Sequence, residues 1–561
     1  GATTLQQIGN STRLQSLDVN SGGQLSLNGD ISVDGGNIDL AGSADVELTA
    51  TVTLDTEVGN DENAGSVLFA AGGSLDSATN ESLTVRTNLA GGGFDGGAVQ
   101  FGNVGSNDPL ATLTTQTAGD TGGGGTNGTA TLNGDLTLSG QLRVANGILD
   151  LTTGAVAIGS IDIPGASVLR LDGSDGGGGV QPITIGGTSP PTPANFDTDS
   201  GTVIYYNSGV TQLALGTEYN NLEFESGNWT LVNVVTVNAN MTVSGGSVAL
   251  NADLSVGTDT TDTLAIAAGG TLSAGTQTIT LFGNWDNQGN FNAGSSTVDV
   301  EAPDFSTVTV TGDTTFFDFI RDTGDLIIEF GEGDTIDIAA GGSFSMTGTG
   351  PADIESRAPG TYSSPPWEGD IILTSTVPGG GAFPVNQWRF NPAATATVTL
   401  QYVFIAYSRA TVPITLPPLN LLGPNCFNWL IDLPVSSSAT EDSDQNGRID
   451  QIRVVLPAAH NSDFSGFEVR VTGYTVTGVG PAVPAEEFLI QLREQIYLDT
   501  DARPQWEITQ NTTLFDNLTN TRVVVIDPPP ATTPDDAAPP LLAHTLTYPG
   551  SDEVFVKFSE P

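Results

Sequence analysis

Five short stretches, SGGQL at 21, AGGSL at 71, SGGSV at 244, AGGTL at 268 and AGGSF at 340, place a glycine pair just before a polar and then an apolar residue. Glycine reaches positive φ freely and lets two backbones approach without a Cβ, so each pair marks a corner from which a strand departs. Between the corners, from residue 1 to about 415, apolar and small polar residues alternate over four to eight positions, and Gly, Asn or Asp ends each run. That alternation is the period of a half-buried strand. In QLSLNGDISV (24–33) it predicts that Leu25, Leu27, Ile31 and Val33 face one way on both sides of an Asn-Gly hairpin turn. ATATVTLQY (394–402) repeats the pattern. Helical spacing is nearly absent, and its best case, PAEEFLIQLREQI (484–496), also reads as a pair of strands.

A longer self-similarity overlies the corners. NFDTDSGTVIY (195–205) aligns with NFNAGSSTVDV (290–300), YNNLEFESG (219–227) with FFDFIRDTG (316–324) and GGSV (245–248) with GGSF (341–344), at offsets of 95, 97 and 96 residues. Stacked coils bury a continuous core that no single coil could bury alone. On its Gly-Gly-Ser-Leu corners and its NW, GNF and STV blocks, the region up to about 415 resembles the right-handed β-solenoid and filamentous-haemagglutinin-like segments of large bacterial surface proteins. An array of β-sandwiches satisfies the same alternation. The Gly-rich runs at 117–129 and 172–180 lack the lysine and following helix of a phosphate-binding loop and read as loops.

TSPPTPANFD (188–197) divides this region, and TLPPLNLLGPN (415–425) ends it. Beyond lies a different module: RIDQIRVVLPAA (448–459) and DEVFVKFSEP (552–561) match as one strand at an offset of 102 residues, a spacing that suits a sandwich. The V-x-F-S-E-P strand is similar to the opening strand of bacterial Ig-like modules of S-layer and other large surface proteins. The proline-rich stretch 527–540 between the copies is expected to act as a stiff spacer. The expected architecture is all-β: a β-solenoid or stacked β-domains in two regions, 1–190 and 191–420, then an Ig-like β-sandwich over 421–526, and at 527–561 a linker with the first strand of a further module, where the chain reads as cut from a longer protein.

Charge narrows the partners. Asp and Glu outnumber Lys and Arg 64 to 15, for a formal net charge of -49, and Lys557 is the single lysine. So acidic a chain has little with which to neutralise phosphates, which makes nucleic acid and anionic lipid poor partners and favours cations. No apolar run is long enough to span a membrane as a helix. Cys426, alone, forms no intramolecular disulfide and reads as a small buried hydrophobe.

One motif carries specific chemistry. EDSDQNGRID (441–450) supplies Asp442, Asp444 and Asn446 at alternate positions, Gly447 for the sharp turn, the carbonyl of Arg448, and Asp450. Those are spacings at which successive oxygens wrap a calcium ion. The twelfth position, a bidentate Glu in an EF-hand, is Arg453, which excludes a complete EF-hand. The loop resembles the calcium loops that link domains in surface proteins, and that resemblance implies that the missing ligands come from another segment, Asp499 or Asp501 in YLDTDARP, with Asp463 a weaker donor. The alternative is a solvated acidic turn.

Catalytic signals are weak. His460 and His544 are the two histidines and neither sits in a nucleophile motif; carboxylate pairs such as Asp197/Asp199 and Asp259/Asp262 are the remaining general acid–base candidates. Trp229, Trp285, Trp367 and Trp388 fall near strand ends, to fill the core or to line a sugar-binding groove. Asn10, Asn80, Asn127, Asn228, Asn240, Asn511 and Asn517 head N-x-S/T sequons, which permit glycosylation. The sequence thus leads to the expectation of a non-catalytic extracellular protein of a bacterial cell surface. It would self-associate into a layer, sheath or filament, or form an adhesin stalk, stabilised by calcium and in contact with surface polysaccharide. The rival expectation is a carbohydrate-binding or polysaccharide-cleaving β-helix.

Overall fold

The computed structural model describes residues 2–9, 14–59, 62–88, 93–119, 124–152, 154–172, 183–185, 195–206, 211–214, 216–322, 324–349, 371–376, 387–416, 421–422, 427–431, 437–455, 468–483, 487–497, 499–510, 513–515, 522–524, 534–537, 542–547 and 554–558. Among them there is no helix, and so none long and apolar enough to cross a membrane. The chain divides into two compact units, the first Gly1–Pro303 with Thr311–Phe319, the second Asp304–Val310 with Ile320–Pro561.

The first unit is built from stacked parallel sheets. One sheet takes in turn Thr3–Leu5, Gln24–Leu27, Asp45–Leu48 and Ser74–Ser77, and a second takes Ile31–Ser32, Val52–Asp55, Leu83–Arg86 and Leu113–Gln116. A third receives the strand that closes each turn, from Leu17–Asp18 through to Asn284–Asn287. Consecutive strands of the chain therefore belong to different sheets, and each pairs with the strand one coil earlier. This is a three-faced solenoid, and it removes the sandwich array as an account of this region. Register fixes what is stacked: Ile38, Val67, Val99, Ala130, Leu149, Leu169, Val203, Leu222, Met241, Leu264 and Trp285 form one column along the third sheet, each almost fully buried. Removing such side chains from water is worth ~1.5–3 kcal/mol each, so the column is a main source of cohesion.

The corners are closed by side-chain carbonyls. Asn221 Oδ1 accepts the backbone N–H of Asn240 at 3.2 Å, and Asn240 Oδ1 accepts that of Thr263 at 2.9 Å, one coil further on. Asn103 and Asp135 do the same for Asp135 and Ala155, and Asp253 does it for Thr278. The abundance of Asn and Asp follows: a corner N–H outside the ladder must still be paired. Glycine corners solve the opposite problem. A Cβ on Gly73 would lie 2.3 Å from Ala44 O and one on Gly270 2.2 Å from Val243 O, so the corners come too close to the preceding coil for any other residue.

Three details depart from expectation. Leu25, Leu27, Ile31 and Val33 are all buried, but Asn28-Gly29 turns the chain from the first sheet into the second and makes no hairpin. AGGSF at 340 turns without a gap between strands: it lies inside the strand Thr335–Thr347 of the second unit, whose halves pair with Trp388–Pro392 and Thr397–Gln401 on either side of Gly341 at φ 81°. The blocks aligned at about 96 residues occupy different faces: Phe196 belongs to the second sheet and Val203 to the third, whereas Phe291 pairs with Leu272 and Val298 with Ile279 in two later sheets. The unit that repeats is a single coil, whose length in the first unit runs from 19 residues between Ala130 and Leu149 to 34 between Leu169 and Val203. Near residue 190 the first two sheets end, at Ile183–Ile185 and Phe196–Asp197, and are succeeded by new ones, while the third passes through unbroken.

The second unit begins with parallel pairings of the same kind, Ser306–Thr311 with Leu326–Phe330, Ile371–Ser375 and Val403–Ile405 in succession. It then changes to antiparallel pairing. Val476–Pro481, Glu487–Leu492, Gln451–Val455 and Ser437–Glu441 form one sheet, and Glu468–Val471 with Trp506–Gln510 another. Ile449, Ile452, Val454, Val469, Val471, Phe488, Ile490, Leu492 and Trp506 form a common core beneath both. The stretch 484–496 contributes a strand, not a helix. Asp535–Asp536, at the end of the expected spacer, pairs in parallel with Ala439 and Thr440 as an edge strand. Leu542–Thr547 and Val554–Phe558 make a hairpin, as do the strands at 437–455.

Candidate functional site

Antiparallel register from Ser437↔Val455 to Glu441↔Gln451 leaves residues 442–450 as the loop of a β-hairpin. The loop turns at Gln445, φ 57°, and Gly447, φ 91°. Asp442, at 5 % exposure, accepts the N–H of Asn446 at 3.1 Å on one oxygen and that of Gly447 at 2.7 Å on the other. Asp444 accepts the N–H of Asn446 at 3.2 Å and its amide Nδ2 at 2.9 Å. Asp450 accepts from Ser443, N–H at 3.0 Å and hydroxyl.

A residue that the sequence did not single out completes the cluster. Leu492 N–H donates to Asp450 O at 2.7 Å, and this pairing carries the end of the neighbouring strand past the loop. Glu494 thereby receives Asn446 Nδ2 at 2.9 Å and Arg448 Nη1 at 3.5 Å. Asp444, Asp450 and Glu494 each offer a carboxylate oxygen, all within 4.8 Å of one another. Calcium binds oxygen at ~2.3–2.6 Å, so two oxygens on one ion are at most ~5 Å apart, and the three carboxylates fit that sphere. Arg453, in the twelfth position, is bound to Glu441 through Nε at 2.7 Å and Nη2 at 3.2 Å and to Glu487 through Nη1, and these three hydrogen bonds hold its charge firmly in place.

The two residues expected to close the shell are not members of this group. Asp499 is 4 % exposed and works as a clamp: its carboxylate accepts Ile449 N–H at 2.9 Å and Tyr474 OH at 2.5 Å, and its own N–H donates to Gly447 O at 3.0 Å. Burial and then the hydrogen bond to Asp499 push the Tyr474 phenol well above its usual range. Asp501 is exposed. Strand alternation held the signal for Glu494, since it continues the parity of Ile490 and Leu492 one step beyond the strand end. What the sequence lacked was the strand pairing that brings it to the loop.

The other candidates take structural places. Asp197 accepts the N–H of Asp199 at 3.0 Å; Asp259 accepts that of Thr261 at 2.8 Å; Asp262 accepts those of Thr258 and Asp259 at 2.7 and 3.1 Å. Each carboxylate thus caps its own loop. Trp229, Trp285 and Trp388 are buried core residues, with Trp229 Nε1 donating to Ser226 O at 2.8 Å and Trp285 Nε1 to Thr314 Oγ1 at 3.3 Å. Trp367, Cys426, His460, Asp463, Asn10, Asn511, Asn517 and the side chain of His544 lie outside the described residues. Compared with protein-family models, curated proteins and solved structures, the chain matches none.

Proposed function

We propose that this chain is a non-catalytic structural component of a bacterial cell surface, which associates with copies of itself into a layer, sheath or filament or forms an adhesin stalk. In this reading the antiparallel layers after 437 are an Ig-like module, and calcium held by Asp444, Asp450 and Glu494 with oxygens of Asp442, Asn446 and Arg448 stiffens it. The observation that carries the reading is the stacking of coils whose carboxylates and amides serve the corners, combined with a net charge of -49. Such a surface repels its own copies unless divalent cations bridge or screen it. The capping roles of Asp197, Asp259 and Asp262 support a non-catalytic role over polysaccharide cleavage.

The test is electron microscopy and light scattering of the full chain. Ordered assemblies are expected with calcium, and chelator in low-salt buffer, where the Debye length reaches ~30 Å, is expected to disperse them. Assemblies that survive prolonged chelation at low ionic strength overturn the cation-dependent part, and a chain that stays monomeric under every condition overturns self-association.

A further inference from the structure

We propose that the second unit carries a binding pocket for a neutral sugar, beside the acidic loop and independent of metal in it. An open hollow of about 360 Å3 lies between the turn after Glu468–Val471 and residues 495, 497, 499 and 501–504. Small-molecule sites begin at about that size, ~300–1,000 Å3. Tyr474, Tyr497, Thr472, Gln495, Asp501 and Arg503 are among the residues that line the hollow.

The chemistry of the wall selects the ligand. Two phenol rings offer flat apolar faces with a polar edge, which match the C–H face and hydroxyl rim of a pyranose. A sugar hydroxyl both donates and accepts, and the wall supplies a pure acceptor in Asp501, a pure donor in Arg503, and Thr472 and Gln495, which do both. One guanidinium against the carboxylates of Asp499 and Asp501 leaves the pocket acidic, which disfavours uronates and phosphates. Tyr497 is 62 % exposed and the adjacent Ile496 91 %, so the ring stands open to a ligand.

The floor is preformed. Asp499 pins Tyr474 through its hydroxyl and the loop through Ile449 N–H, and Gln495 Nε2 donates to Gly473 O at 2.7 Å. A rigid wall avoids ordering costs on binding, yet a single pyranose is small, which sets a dissociation constant in the millimolar range.

The experiment is saturation-transfer NMR on the full chain with methyl glucoside, methyl galactoside, N-acetylglucosamine and glucuronate, with titration of any sugar that responds. Transfer to the ring protons of at least one neutral sugar is expected, with glucuronate weaker. Tyr497→Ala should weaken binding about tenfold. Asp501→Asn should weaken it too, and both variants should melt as the parent does, because both side chains are exposed. Absence of transfer to all three neutral sugars overturns the proposal, as does unchanged affinity in Tyr497→Ala or glucuronate binding as tightly as the glucosides.

Discussion

Asp499→Ala tests whether the acidic loop is held from behind. The substitution removes the acceptor of two hydrogen bonds, from Ile449 N–H at 2.9 Å and Tyr474 OH at 2.5 Å. Ile449 is fully buried, so its N–H is left without a partner, at a cost of ~1–3 kcal/mol; the half-buried Tyr474 can turn its hydroxyl toward water and loses less. The sum, about 2–3 kcal/mol, is local, because the link from Asp499 N–H to Gly447 O belongs to the backbone and survives. Hydrogen exchange measured by mass spectrometry reads local opening directly, and at ~1.4 kcal/mol per tenfold the Ile449 amide should exchange roughly 30- to 140-fold faster. Amides of Val52–Asp55 in the first unit should not change. Asp501→Ala, which removes an exposed carboxylate, serves as the control and should leave Ile449 as it was. Equal protection of Ile449 in the parent and in Asp499→Ala would refute the reasoning, since the loop would then be rigid without its clamp.

Gly73→Ala should lower the melting temperature or prevent folding, because its Cβ would lie 2.3 Å from Ala44 O, whereas Gly72→Ala, with open space around its Cβ, should be neutral or slightly stabilising on thermal melting. Calcium should raise the melting temperature of the second unit, by as much as ~2.7 kcal/mol of stability at a hundred times the dissociation constant, and Asp450→Ala should abolish the rise; an equal rise in the variant would leave the loop a plain acidic turn. Burial alone would raise the Glu81 carboxyl, yet hydrogen bonds from Ser77 and Thr79 outweigh it and hold the group down to about 2, from 4.5. Its folded value is depressed, so its contribution is complete above 4.5 and is lost as pH falls toward 2; Glu81→Gln should flatten that part of the acid-unfolding curve followed by circular dichroism.

How much of the fold was legible depends on what each signal encodes. Alternation encodes which side chains go inside, and Leu25, Leu27, Ile31 and Val33 are inside. It says nothing of the partner strand, so an Asn-Gly turn that reads as a hairpin can equally be a corner between two sheets. A glycine pair encodes close approach, as at Gly73 and Gly270, but the same pair at 341–342 breaks one long strand into two pairing halves. The offset of 96 residues misled for a related reason: coils of the first unit vary between 19 and 34 residues, so an equal spacing does not return the chain to the same face. Strand-and-corner chemistry recurs on every face, and resemblance between two blocks need not mean equivalent position.

The acidic loop divides in the same way between local and distant information. Asp442, Asp444, Asn446, Gly447 and Asp450 are a contiguous run, and their spacing was readable because the turn they make is set by their own backbone, Gln445 and Gly447 both at positive φ. Glu494 was not readable, because its place depends on the register of Gln451–Val455 against Glu487–Leu492, a non-local pairing. Those same strands explain why the loop needs no helices. An EF-hand switch works by reorienting its flanking helices. The strands flanking this loop are held to each other through five paired positions, Ser437↔Val455 to Glu441↔Gln451, and Arg453 ties Glu441 to Glu487 across three strands. With both exits fixed, a cation held as proposed by Asp444, Asp450 and Glu494 would have no element to move. Its binding energy would be left to relieve the repulsion of three carboxylates and to hold strand end and loop together.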